Sequence, residues 1–239
     1  MDQEQNLTGT LKYSSAANLL RFILNSDLPA DIDTSRNRID LYSEKGDALG
    51  WLHVPVFWAL SEDKQESNKY IDAWHEQSPP YLMFLIQAGY AAVGTFENGE
   101  CELHKSIRRY MVRKKQGKAQ ISYLKTKGKS RAGSRIRLAE SRAFFQDINE
   151  CLNEWWEAKR WHGVLFSCTP VLWGELFAAE PEPPFGKKEP RLKKVPFDVG
   201  RPGFEELLKM NDLLHQGRYR FSAGIPAELL SRLRPYNDQ

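Results

Sequence analysis

Tyr81-Leu82-Met83-Phe84-Leu85-Ile86, closed off by Pro80 on one side and Gly89 on the other, is an unbroken apolar run. Six residues are too few for a helix, whereas a central strand covered on both faces wants an apolar side chain at every position. The run is therefore read as the core strand of a sheet. Tyr90 to Phe96 follows as a second strand, and Asn98-Gly99 supplies the residues that a tight type I′ turn favours. A third strand from Glu100 to about Arg113 returns antiparallel and completes a meander.

Beyond the meander the period changes. Phe144, Ile148, Cys151, Leu152 and Trp155 fall on one stripe of a helix that begins at Ser134 and ends within Lys159 to His162. Val164 to Cys168 is another short buried strand, Leu172 to Ala178 a brief helix, Pro181 to Gly186 a loop, and Leu192 to Phe197 a further strand. Phe204, Leu207, Leu208, Asn211 and Leu214 mark an amphipathic helix that starts after Arg201-Pro202-Gly203. On the N-terminal side, Ser14 or Ser15 caps a helix to Asn25 that Pro29 stops. Arg38 to Tyr42 and Trp51 to Leu60 are strand-like, with Pro55 making the second an edge or a broken strand. Residues 61–80 read as a connection or a surface helix. The expected fold class is α/β, a mixed sheet flanked by helices. Residues 1–80 form an N-terminal extension or small subdomain, 81–220 the main domain, and 221–239 a C-terminal tail.

Composition sets outer limits. At 239 residues and 41% hydrophobic, the chain can bury a sizeable core. No window of eighteen apolar residues exists. Met1-Asp2-Gln3-Glu4-Gln5-Asn6 has neither the basic nor the apolar part of a signal peptide, so the cytoplasm is the expected compartment. Cys101, Cys151 and Cys168 are far apart and odd in number, which favours reduced thiols in the core over disulfides or a zinc pair. His53, His75, His104, His162 and His215 show no metal-ligand spacing, and no metal site is expected. His104 is read as a half-buried strand histidine. Trp155, Trp156 and Trp161 are assigned to packing, and Arg201-Pro202 to a helix start.

Charge points elsewhere. The chain carries 34 basic against 31 acidic residues, yet the 33 residues from Lys105 to Arg137 hold 13 lysines and arginines and no acid, leaving the other 206 at −10. Like charges at this density repel unless a polyanion neutralises them. RNA or DNA is the leading partner and an anionic membrane the second; a disordered basic surface tail without a specific role is the plainer alternative. The same repulsion predicts poor order from about Lys115 to Arg131 in the free protein. Gly117-Lys118-Ala119-Gln120 sits mid-segment. A neutral amide cannot act as a general base near pH 7, but it can hold a water by donating and accepting at once, and its small neighbours admit a phosphate or ester to the backbone.

The run His104-Lys105-Ser106-Ile107-Arg108-Arg109-Tyr110-Met111-Val112-Arg113-Lys114-Lys115-Gln116-Gly117-Lys118-Ala119-Gln120 resembles the HKxFxRYTVRxKxGxxQ signature of the Vms-like release factors, relatives of the catalytic domain of the eukaryotic and archaeal peptide-chain release factor. Arg131-Ala132-Gly133-Ser134-Arg135-Ile136-Arg137 is similar to the family's SAGAxLRR block at the start of its helix. Val195-Pro196-Phe197-Asp198-Val199-Gly200-Arg201-Pro202-Gly203-Phe204-Glu205-Glu206-Leu207 resembles its IPFxTxRPTFxEL segment. Three blocks in order, within residues 81–217, make the likeness specific. The family continues its helix as RRYNE, whereas Leu138-Ala139-Glu140 follows Arg137 here. Ankyrin repeats, a zinc-finger segment and a partner-binding tail are not found in these 239 residues, so a compact bacterial member is expected.

The resemblance implies a release-factor-like catalytic domain over 81–220, with a projecting basic loop between a meander strand and a long helix. It implies hydrolysis of the peptidyl-tRNA ester of stalled nascent chains, in ribosome-associated quality control. Gln120 would be the catalytic residue, at the tip of an active-site loop with Gly117, Lys118 and Ala119. RNA would be held by Lys105, Arg108, Arg109, Arg113, Lys114, Lys115, Lys125, Lys127, Lys129, Arg131, Arg135 and Arg137. The expected partners are the large ribosomal subunit, its rRNA and peptidyl-tRNA, bound by a monomer with no metal or organic cofactor and no membrane. Two alternatives stay open: a nuclease cleaving tRNA at the CCA end, and a non-catalytic ribosome- or RNA-binding module.

Overall fold

The structure, a computed structural model, describes residues 6–58, 60–74, 77–110 and 132–237. The chain divides into two compact units, one built from residues 1–79 and 211–239, the other from residues 80–210.

The second unit contains the mixed sheet. Strands β5 (Tyr81–Gln87), β6 (Tyr90–Glu97) and β7 (Glu100–Arg108) form the meander, and β8 (Gly163–Ser167) and β9 (Leu192–Lys194) add parallel strands in the order β7-β6-β5-β8-β9. We label in chain order, with β1 to β4 in the other unit. Tyr81 to Ile86 is buried at every position and occupies the middle of the sheet, as its unbroken apolar run predicts. Asn98 and Gly99 both take positive φ, 54° and 81°, in agreement with the turn read from their types.

Helix α3 (Ala132–Trp156) lies on one face. The alternate residues Leu82, Phe84 and Ile86 of β5, with Ala91, Val93 and Ile107, meet Phe144, Phe145, Ile148, Cys151, Leu152 and Trp155 of that helix in one apolar cluster. Trp155 and Trp161 are buried and Trp156 packs against the same cluster, so the tryptophans are packing residues as expected. Of the three cysteines Cys151 is buried and Cys101 and Cys168 half-buried, all as free thiols. Burial pushes the Cys151 and Cys168 thiols up to about 12, which makes them inert at neutral pH.

Several boundaries move for identifiable reasons. β7 ends at Arg108, where its partner β6 begins with Tyr90 opposite, and the expected continuation from Met111 to Arg113 lies outside the described residues. Strand β9 stops at Lys194, two residues before Pro196, which has no N–H to give; Val195 makes the last sheet bond, donating to the Phe166 carbonyl at 2.8 Å. Helix α3 starts two residues before Ser134 and ends at Trp156. Helix α4 (Pro170–Ala178) begins with Pro170 after Thr169, whose hydroxyl accepts the Leu172 N–H at 3.4 Å.

Between α4 and β9, Asn149 of α3 acts as a buried bracket. Its Nδ2 donates to the carbonyls of Leu176 (2.9 Å) and Pro181 (2.7 Å), two acceptors that also fix which way the amide points. Asn149→Ala removes both hydrogen bonds and strands the Leu176 carbonyl in the interior, so we expect a loss of about 3 kcal/mol. Thermal unfolding monitored by circular dichroism should show the midpoint falling by about 8 °C.

The first unit carries a sheet that the sequence pattern does not announce. Strands β1 (Leu7–Leu11), β2 (Ala30–Asp33), β3 (Arg38–Tyr42), β4 (Ala48–His53) and β10 (Gly217–Phe221) pair antiparallel in the order β1-β10-β4-β3-β2. Residues 217–221 thus lie inside a sheet of the N-terminal segment, and α6 (Ala227–Asn237) follows, where the sequence suggested a tail from residue 221. Strand β4 ends at His53, ahead of Pro55, instead of running to Leu60. Helix α1 (Tyr13–Asn25) buries Ala16, Ala17, Leu19, Leu20, Ile23 and Leu24. It starts at Tyr13, not after a serine cap: Lys12 is the N-cap without a side-chain bond, and the Trp58 Nε1–H donates to the Tyr13 hydroxyl at 2.6 Å. Helix α2 (Lys64–Trp74) fills the surface-helix option for residues 61–80. Helix α5 (Phe204–Leu214) matches its expected span and contains the division between the units.

His215, just after α5, is half-buried beside Tyr13 and Phe57, with Nδ1 at 2.7 Å from the Asn211 carbonyl. That carbonyl can only accept, so Nδ1 carries a proton. Burial lowers its pKa below the ordinary 6.5. The folded state then binds fewer protons than the unfolded chain, so this contribution to stability is full above pH 6.5 and is lost as pH falls through the lowered folded value. Melting temperatures taken from pH 7.5 to 5 should drop below pH 6.5, and His215→Gln should flatten that drop.

Candidate nucleic-acid interface

The basic segment leaves the mixed sheet at the end of β7 and returns as α3. β7 is an edge strand, exposed along most of its length, and its described cations go to different places. Ile107 faces α3 within the core, and by alternation Lys105 shares that side; its ammonium lies near enough to the Cys151 thiol to favour the thiolate slightly, against the larger opposite effect of burial. Arg108 points to the opposite face, where its guanidinium carbon sits 5.3 Å from the centre of the Tyr90 ring.

Arg109 behaves differently from the others. Its Nε and Nη2 both donate to Asp147 Oδ2 of α3, at 2.9 and 2.7 Å, and Glu140 Oε2 lies 3.8 Å from Nη1. Its backbone N–H donates to the Gly89 carbonyl at 3.1 Å. The hydrogen bond to Asp147, then that carboxylate's charge, then Glu140, raise the guanidinium pKa further. Instead of standing free for phosphate, Arg109 ties the point where the segment leaves the sheet to the helix to which it returns. Sequence reasoning had no local signal for this, because Asp147 is 38 residues away. Glu140, which departs from the family pattern, here supplies the second carboxylate beside Arg109.

Arg135 and Arg137 fall in the first turns of α3, whose first turn has no acidic residue. Gly117, Lys118, Ala119 and Gln120 lie outside the described residues, as do Arg113, Lys114, Lys115, Lys125, Lys127, Lys129 and Arg131; so does the expected poor order from Lys115 to Arg131.

His104 is exposed, not half-buried, and its ring stacks on Phe204 at 3.8 Å between centres, with 19° between planes. Arg201 starts no more than a turn before α5, yet its guanidinium carbon lies 5.5 Å from the Tyr90 ring centre. Among the described residues no cluster of three or more histidine, cysteine, aspartate or glutamate side chains is arranged to hold a metal ion. No helix among them is long and apolar enough to cross a membrane.

These elements make an α/β domain in which an acid-free basic segment joins the edge strand of a mixed sheet to the helix that covers one face. The chain belongs to the Bacteroidetes VLRF1 release factor family, whose model matches residues 81–220. It is also similar to the cattle (Bos taurus) protein called tRNA endonuclease ANKZF1, with 28% identity over 132 residues, 54% of this chain and 18% of that one. The fission yeast (Schizosaccharomyces pombe) tRNA endonuclease vms1 is 28% identical over 147 residues, 56% of this chain and 24% of that one. The matched part thus spans only about a fifth of these curated relatives. Among solved structures, the Vms1 mitochondrial localization core covers 90% of this chain and 85% of its own, with 16% identity and a TM-score of 0.47.

Proposed function

We propose that this protein releases stalled nascent chains from the large ribosomal subunit by hydrolysing the ester between peptide and tRNA. The observation that carries the reading is the acid-free run of 13 cations around Gly117-Lys118-Ala119-Gln120, inside the region that matches a release factor family. In this reading the cations track rRNA and tRNA phosphates and bring one uncharged amide to the CCA end. Water attacks the ester carbonyl carbon, the bond to the ribose 3′ oxygen breaks, and the products are a peptide carboxylate and a tRNA with a free 3′ hydroxyl. Gln120 orients the water by accepting from it and donating to the developing oxyanion, without taking the proton itself.

The sequence at the start of α3, with Arg135 and Arg137 and no acidic residue in the first turn, suits the same anionic partner. The names of the relatives, tRNA endonucleases, favour a second reading, cleavage of the tRNA itself.

Large subunits carrying labelled peptidyl-tRNA, incubated with the protein, separate these readings. Free peptide beside intact tRNA is the expected result. Peptide still joined to a tRNA fragment means the nuclease. Intact peptidyl-tRNA under conditions of demonstrated binding overturns both enzymatic readings and leaves a binding module.

A further inference from the structure

Tyr90 opens β6 and lies across the ladder from Arg108, the last residue of β7. Two guanidiniums approach its ring, that of Arg108 at 5.3 Å and that of Arg201 at 5.5 Å. Both arginines are exposed, and neither meets a carboxylate among the described residues. Two like charges sharing one ring repel, and an anion set between them relieves the repulsion.

Four residues earlier on β7, on the same face, comes the exposed His104 ring stacked on Phe204, itself 37% exposed. Four residues of strand span about 13 Å, so the arginines and the stack lie about that far apart along one face of β7. The strip is not required to hold the segment before α5 in place. The Gln87 side-chain amide already donates to the carbonyls of Val199 (3.0 Å) and Gly200 (2.8 Å), and the Gly200 N–H donates to Glu206 Oε1 at 2.7 Å.

We propose that this strip, Arg108 with Tyr90 and Arg201 and the pair His104–Phe204, is a further RNA contact that extends from the basic segment through Arg108 onto the sheet. The two guanidiniums grip backbone phosphate, and an unpaired base lies on the His104–Phe204 stack. Arginine paired with exposed aromatic rings suits nucleic acid better than an acidic peptide, which would satisfy the guanidiniums and leave the rings wet. The inference rests on the RNA-directed reading above, but on the binding alone and not on the reaction.

Binding to purified large subunits carrying peptidyl-tRNA is measured by co-sedimentation from about 50 to 200 mM KCl. Arg108→Ala with Arg201→Ala, checked for an unchanged melting curve, should bind about tenfold more weakly. The slope of log affinity against log salt should become shallower by one to two. Unchanged affinity and slope overturn the proposal. A second measurement leaves the arginines intact: with Phe204→p-benzoylphenylalanine, irradiation of the complex should link position 204 to RNA. Linkage to a ribosomal protein, or to nothing, overturns the proposal. If position 204 of the substituted protein links to RNA while the wild-type protein releases no peptide, the proposed reaction fails and the RNA strip stands. If peptide is released while position 204 links only to protein, the strip fails and the reaction stands.

Discussion

Gln120→Ala is expected to lower the rate of peptide release by about a hundredfold or more while leaving affinity for large subunits within about twofold. The size follows from what the amide is asked to do. Removing one pre-positioned donor from a site of charge development commonly costs two to three orders of magnitude, and loss of water alignment acts in the same direction. In the proposed reading binding is spared because cations of the segment other than Arg109, not this neutral group, carry the contact with phosphate. Alanine keeps the backbone N–H, so the variant also separates two roles. Release above about a tenth of the wild-type rate would assign the work to the backbone instead of the side chain. Single-turnover release at saturating protein is the measurement, with sedimentation of the complex reported beside it.

Arg109→Glu should reduce release by about a hundredfold through geometry. Glutamate at this position faces Asp147 and Glu140, so three carboxylates meet where one bidentate clasp held the end of β7 to α3. The segment emerges between these two elements, and displacing its root by an ångström is enough to spoil alignment at the ester. The double variant Arg109→Glu with Asp147→Arg restores an opposite-charge pair and should recover a large part of the rate. A residue that instead contacts phosphate behaves differently: reversal weakens subunit binding, flattens its salt dependence, and Asp147→Arg brings no specific recovery. Rate, affinity and salt slope measured on the four proteins of the cycle decide between the clasp and the RNA contact first expected of Arg109.

Most of the mixed sheet could be read from local pattern. Tyr81 to Ile86 has no polar residue to place outside, Asn98-Gly99 suits only a few turns, and the stripe from Phe144 to Trp155 has a helical period. The other sheet was hidden because its strands are completed from far away. Gly217-Arg218-Tyr219-Arg220-Phe221 does alternate, but its ladder partners are Leu7 to Leu11 and Gly50 to His53, and no window of sequence contains both sides. The site divides in the same way. A run of unopposed charge is visible in one dimension, whereas the clasp between Arg109 and Asp147, the two arginines on Tyr90 and the ring pair His104–Phe204 are pairings over long separations. Conversely, Arg109 looked like any other cation of its run until its carboxylate partner was in place.

The position of β10 between β1 and β4 also bears on how the protein is made. During synthesis the residues of β1 to β4 leave the ribosome first, but two of these strands wait for a partner that emerges about 160 residues after His53. Residues 80–210 hold all the strands of their own sheet and can finish folding in the interval. The order of assembly is therefore centre first and ends last. A chain that stops short of Phe221 carries open strand edges at its N-terminal end, the kind of incomplete product that ribosome-associated quality control exists to remove.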